Sequence, residues 1–350
     1  MAINFAFAGL NNTWVPSPAD SNNLVVDFSR NPADFGLNLY SQLVPAERPR
    51  GKWTKMTVET AGRLLQSDLR DHQWADNADA PRGNLNNESF EFPEFNCFRY
   101  LYVDKVGQMA LQNAQWDYQD WMARRMAQQA MTGRTQLIVT AATTTANYPS
   151  ANTADVTTIN GGYQFPDATT ANLAMKKAIN YGQNIILQST LGAVNPEDFR
   201  FVINPNLARK ISETQEFVDM VKHSPEAYAE LTGELPNRNR YFGIPKRLYG
   251  IEVVIDETVK VTSKKGATTP TYAYVVPDAT PFLVSRPGGL VGVEGAPSFS
   301  TLTHFVWEEN DMMVETFNDI ENKRVSVRVV DTVAAIVTAG LSGFLFTNVM

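Results

Sequence analysis

A single cysteine, Cys97, leaves no intrachain disulfide and no thiolate zinc cluster. The three histidines, His72, His223 and His304, stand far apart with no ligand spacing around them. HExxH, CxxC and GxSxG are all missing. A catalytic site needs convergent partners, so no catalytic, metal-ligating or cofactor-binding residue is expected, and no enzyme. Positive charge is also in deficit. A net charge of −7 and a pI near 5.2 speak against a surface that grips nucleic acid broadly. No Lys or Arg precedes Arg30, which excludes a secretory signal and predicts folding in the cytosol.

Charge is missing altogether from Thr332 to Met350. That stretch is long enough for a membrane-spanning helix. Gly340, Gly343, several hydroxyl residues and the lack of a basic anchor count against one. Val325, Val327 and Val329 alternate just before it, so a buried strand running into a covered terminal segment is expected. Arg286–Gly295 is Gly-rich but lacks the GxGxxG spacing and a following helix, and it reads as turns. Glu308, Glu309 and Asp311, flanked by Phe305, Trp307, Met312 and Met313, read as a turn between two strands rather than a cation site. Cys97 alternates with aromatics, a packing position with nothing basic beside it.

What is present is organised around Val103–Met131. Val103, Val106, Ala110, Ala114, Tyr118, Trp121, Met122 and Met126 recur in steps of three and four, which predicts one long spine helix. Gly107 is expected inside it, against another backbone, and Gly133 at its C-terminal stop.

Around the spine the chain reads as α+β. Residues 1–49 form an arm too punctuated by Asn, Pro and Ser to build a core, so Trp14, Phe28 and Tyr40 must dock elsewhere. Residues 50–102 read as an extended β-hairpin. One strand runs through Trp53–Glu59, and the return runs through Phe90, Phe92, Phe98, Tyr100 and Tyr102, with a loop tip over Ala75–Ser89. A lone two-stranded ribbon cannot bury these faces, so a partner must cover them. After the spine, a strand is expected over Thr135–Ala142, and a helix capped by Thr170 running to about Ser189. A strand Phe199–Ile203 follows, then a helix Leu207–Phe217 started by Asn206, and a short helix after Pro225. Further strands are expected at Ile251–Ile255, Thr271–Val276, Pro281–Val293 and, as two long strands, Phe305–Arg328. Basic residues cluster at Arg48, Arg50, Lys52 and Lys55, and again at Lys260, Lys264 and Lys265.

This order resembles the major capsid proteins of tailed bacteriophages, the Hong Kong 97 fold. The phrases that carry the likeness are Ala80-Pro81-Arg82-Gly83, Asn195–Ile211, Tyr241–Asp256 and the late VPDATPFLVSRPGGLVGVE. The resemblance implies an N-terminal arm (1–49), an extended loop (50–102), a peripheral domain with the spine helix (103–164), an axial domain (165–298) and a return to the peripheral domain (299–350). It implies a structural protein that assembles as hexamers and pentamers into an icosahedral head around double-stranded DNA, without reading its sequence. The implied location is the virion, built in the host cytoplasm. The chain opens directly on the arm, which implies a separate scaffolding protein, alongside a portal and possibly a decoration protein. Ala80, Pro81, Arg82 and Gly83 at the loop tip, with Arg48, Arg50, Lys52, Lys55 and Trp14, are the implied inter-subunit contacts. The shell of an encapsulin nanocompartment shares this fold and is the nearest alternative. A cofactor-free hydrolase and a protein tethered by its C-terminal segment are the others.

Overall fold

The computed structural model describes residues 30, 34–53, 55–56, 76, 90–114, 117–222, 243–264, 266–286 and 300–350. Trp14, the loop tip Ala80–Gly83, His72, His223, the segment after Pro225 and the run 287–299 lie outside the described residues.

Two sheets share the long helix. The first is built on β16 (Arg324–Val337), the longest strand described, whose valines alternate before the sequence turns fully apolar. One side of β16 carries β6 (Phe98–Gly107), antiparallel from Arg324↔Gly107 to Val333↔Phe98. On its other side β14 (Leu302–Trp307) pairs with Val333–Val337, and β15 (Met313–Asp319) takes over along Arg324–Val330. Glu308–Asn310 forms the turn between β14 and β15, as the acidic cluster suggested. β1 (Gln42–Ala46) lies parallel to β14.

The second sheet runs β7 (Thr153–Asp155), β17 (Phe344–Thr347), β13 (Phe282–Ser285), β8 (Phe199–Ile203), β10 (Ile251–Ile255), β9 (Arg247–Leu248). Both of its faces are covered. Phe199, Phe201, Ile203, Leu283, Phe344 and Phe346 meet the helices Ala174–Ser189 and Pro205–Glu213. Val202, Val254, Phe282, Val284 and Leu345 meet Ile138, Val139 and Ala142 of the long helix, together with Phe35, Leu37 and Tyr40. Strands buried on both sides read as continuous apolar runs, which is why FRFVI and FLFT show no alternation. At Gly182 the covering helix lies flush, since a Cβ there would stand 2.9 Å from Leu283 and 3.1 Å from Phe346. The strand expectations at Phe199–Ile203 and Ile251–Ile255 match the structure. Tyr272–Tyr274 (β12) pairs with Val259–Val261 (β11) as a separate hairpin.

The uncharged C-terminal stretch is core. It completes β16, turns at Gly340–Ser342 and enters β17, where Phe344, Leu345 and Phe346 are fully buried. No described helix is long and apolar enough to cross a membrane. Strand pairing also ties residues 153–155 and 344–347 to the sheet that holds β8, β10 and β13.

The spine is displaced from its expected position. Val103–Gly107 belongs to β6, a short helix covers Gln108–Asn113, and the long helix is Tyr118–Thr143. Ten consecutive pairings with β16 outweigh the weak helical periodicity of Val103 and Val106. Asp117 caps the true start, accepting from the Asp120 amide at 3.0 Å. Thr135–Ala142, expected as a strand, is helix. Its β-branched run misled, because Thr132, Thr135, Thr140, Thr143 and Thr144 each donate to the carbonyl four residues back and so fit a helix interior. Gly107 is extended, and among the described residues a Cβ there meets nothing within 4 Å, so the expected close approach is not found there. The close approach belongs to Gly133, in mid-helix, where a Cβ would run into the Tyr102 hydroxyl of β6.

Two helix starts also shift. Ala174–Ser189 begins four residues after Thr170, and Glu216 caps it from another helix, accepting from the Met175 and Lys176 amides at 3.1 Å. The next helix starts at Pro205, capped by Asn204 rather than Asn206, with Asn204 Oδ1 accepting from the Leu207 amide at 2.8 Å. It stops at Glu213 and resumes as Gln215–Lys222.

Candidate assembly surface

The root of the ribbon is two short ladders, β2 (Arg50–Lys52) with β5 (Glu94–Asn96) and β3 (Lys55–Met56) with β4 (Phe90–Glu91). Three of the expected basic contact residues face the ribbon's own return strand. Lys52 pairs with Glu94 at 2.9 Å, Lys55 with Glu91 at 3.4 Å, and Arg50 Nε donates to Asn96 Oδ1 at 3.2 Å. The hydrogen bond from Lys52 holds the Glu94 carboxyl below its ordinary range. Arg48 is exposed between β1 and β2. These exposed pairs are screened and contribute little to stability, so their basic ends stay exchangeable.

The ribbon root rests on its own first sheet. Phe95 stacks on Phe305 of β14 with centroids 4.2 Å apart and planes 4° from parallel, and Trp53 stacks on the same ring at 5.9 Å. Cys97, buried beside them, donates its thiol to the Phe305 carbonyl at 3.5 Å, and burial pushes the thiol pKa up. It is the packing cysteine the sequence indicated. Part of the aromatic surface that needed a partner therefore finds one within the chain.

Beyond this root the face of the first sheet turned away from the long helix is partly exposed, apart from the buried Val330. In cross-strand register it presents Leu101–Val330–Met313, Val103–Arg328–Glu315 and Lys105–Ser326–Phe317. Leu101 is 55% exposed and Val103, Met313 and Phe317 are about two-fifths exposed. Arg328 lies 3.8 Å above the Phe317 ring and pairs with Glu315, which orders this face. At the β15–β16 turn, hydrogen bonds from Asn322 and Arg324 hold the Asp319 carboxyl down at about 2, and Ile320 projects with 87% exposure.

The opposite face is locked. Val325, Val327 and Val329 pack on Met122, Met126 and Ala130. Arg134 of the long helix, 3% exposed, grips Asp331 of β16 in a fork of 2.8 and 2.5 Å and reaches Asp311 at 2.6 Å. Nearby, His304 of β14 is buried with Nδ1 3.0 Å from Ser41 Oγ, which itself donates to the Leu37 carbonyl. Burial, with Arg134 close by, brings the His304 pKa down to about 3, so the ring is neutral. Tyr40 donates to Asp256 at 2.7 Å and pins the same N-terminal segment to β10. Sequence reasoning missed these pairs. The available signal was a lone charge in an apolar run, Arg134 before QLIV and Asp331 between Val330 and Thr332. Among the described residues no three His, Cys, Asp or Glu side chains gather in a way that could hold a metal ion.

The sequence matches no family model and no curated protein. Solved structures do match. A phage-related protein from Bordetella bronchiseptica superposes with a TM-score of 0.59 at 14% identity, covering 90% of this chain and 91% of that one. The mature capsid of bacteriophage PhiM1 gives 0.52 at 12% identity, covering 96% and 95%. The capsid of cyanophage P-SCSP1u gives 0.50 at 12% identity, covering 93% and 91%. The chain has the fold of tailed-phage capsid proteins. The likeness runs nearly end to end in both chains.

Proposed function

We propose that this chain is a major capsid protein whose copies assemble as hexamers and pentamers into the icosahedral head of a tailed bacteriophage, enclosing double-stranded DNA. One observation carries the reading: end-to-end likeness to chains that solved structures show in phage capsids. Leu101, Val103, Met313 and Phe317, exposed on the outer face of the first sheet, supply apolar surface that neighbouring copies can cover. Head-to-tail contacts that close into rings meet that need. The role is assembly and load-bearing rather than catalysis. An acidic chain suits a container for packed DNA, since many phosphate contacts would immobilise the genome. A separate scaffolding protein, a portal and a decoration protein are the proposed partners, with assembly in the host cytoplasm and residence in the virion. The proposed division is an arm (1–49), an extended loop (50–102), a peripheral domain (103–164) to which the chain returns over 299–350, and an axial domain (165–298).

The loop tip Ala80–Gly83 is the proposed clasp, with Arg82 offering a planar fork to a carboxylate across the interface. Replacing residues 77–86 by Gly-Gly leaves each subunit folded, because loop length costs only ~0.6 kcal/mol per doubling. Shells then fail to form or fall apart at high salt. Circular dichroism reports folding and electron microscopy reports particles. Intact, salt-resistant shells from the shortened chain would remove the ribbon tip from the interface.

A further inference from the structure

We infer that the stack of Phe95 and Trp53 on Phe305 is a positioning joint, fixing the bearing at which the ribbon leaves its own sheet and so which neighbouring copy the ribbon meets. The second half of this inference rests on the shell reading; the joint itself does not. The paired segments of the ribbon root are two and three residues long, too short to be stiff by themselves. Its direction must then be set where it is anchored. Four features converge there. The Phe95 and Phe305 rings are within 4° of parallel. Trp53 covers the same ring from β14. Gly51 is bare directly over Phe95, where a Cβ would stand 2.6 Å from Cζ, so the ring's place depends on the missing side chain. Two backbone hydrogen bonds frame the root, from Cys97 to the Pro49 carbonyl at 2.7 Å and from Trp53 to the Pro93 carbonyl at 3.1 Å. Both prolines lack an N–H of their own, and Pro93 separates the two ladders.

The joint also carries a mismatch. The Trp53 indole N–H is buried with no acceptor among the described residues. A buried donor without a partner weakens the docked arrangement and favours any arrangement that supplies a carbonyl or carboxylate. The docked stack thus carries one unmet donor, which an acceptor outside the joint can reach only if the joint rearranges.

The test is a Phe95→Leu, Trp53→Leu double variant of the full chain, with Gly51→Ala as a second variant that displaces the ring without removing it. Phe92→Leu, on the exposed ribbon face outside the stack, is the control. Amide exchange over residues 50–56 and 90–98 is followed by mass spectrometry, and particles by electron microscopy. The inference expects exchange there to speed up roughly ten- to hundredfold in both variants, with the rest of the chain unchanged. It expects particles of mixed size or open sheets in place of uniform shells, and a control that behaves as the parent. Unchanged exchange in both variants overturns the joint. Faster exchange with shells as uniform as the parent's overturns its role in choosing the neighbour. A parent chain that forms no particles with or without scaffold sinks the shell reading and the neighbour-choosing half with it, while the exchange result still decides the joint.

Discussion

Replacing Arg134 by methionine isolates what the buried charge pair contributes to holding the long helix on the first sheet. Arg134 and Asp331 are 3% and 1% exposed, and the guanidinium closes a fork on one carboxylate. Methionine keeps the stem's apolar contacts but leaves Asp331 charged, dry and without a partner. Breaking such a pair from one side costs about 3–5 kcal/mol. That is a large part of the ~5–15 kcal/mol that holds an ordinary domain together. Asp311 is 44% exposed, so Asp311→Asn costs under about 1 kcal/mol. Arg134→Met with Asp331→Leu removes both charges and recovers at least ~2 kcal/mol of the single-variant loss, because two apolar side chains can replace a buried pair. Urea unfolding of the dissociated subunit reads all four proteins. A loss below ~1 kcal/mol for Arg134→Met, or no recovery in the double variant, refutes the view that desolvation governs this contact.

His304 gives a pH signature. Its folded pKa of about 3 lies below the ordinary 6.5, so between these values the unfolded chain binds a proton that the folded chain refuses. Stability is therefore lost as pH falls from about 6.5 towards 3, by at most ~5 kcal/mol, and subunit melts of His304→Gln against the parent should show a flatter acid limb in the variant. At Gly133 a methyl group collides with the Tyr102 hydroxyl, so Gly133→Ala lowers stability by ~1–3 kcal/mol despite the better helix former, whereas Gly107→Ala is within ~0.5 kcal/mol of the parent. Thermal unfolding separates the two, and equal melting points would contradict the contact. Leu345→Asp places an unpaired charge in β17 between the two cores and should leave the chain insoluble, while normal folding of that variant would show the C-terminal segment is not core.

Strand positions were more legible in the sequence than helix boundaries were. Strands with a plain signal, such as FRFVI stopped by Asn204-Pro205 and IEVVI led by Gly250, stand where they were expected. The acidic turn and the apolar C-terminal strand were also legible, the first from the apolar residues that flank it and the second from the valine alternation that leads into it. The spine was misplaced because its ends are decided at long range. Val103–Gly107 is held by β16, over two hundred residues away in sequence, and Gly133 is accommodated by Tyr102 rather than ending the helix. Caps supplied from a distance were invisible for the same reason: Glu216 closes a helix about forty residues upstream. The Phe95–Phe305 and Arg134–Asp331 contacts were hidden too, since each joins segments that only the fold brings together.

The shell reading is tested most directly by electron microscopy of the purified full-length chain, expressed with and without a scaffolding protein. It predicts closed icosahedral shells, or capsomer rings where the scaffold is missing, with density for the ribbon crossing onto an adjacent copy. A compact, stable monomer that stays dispersed at high concentration under both conditions would contradict it.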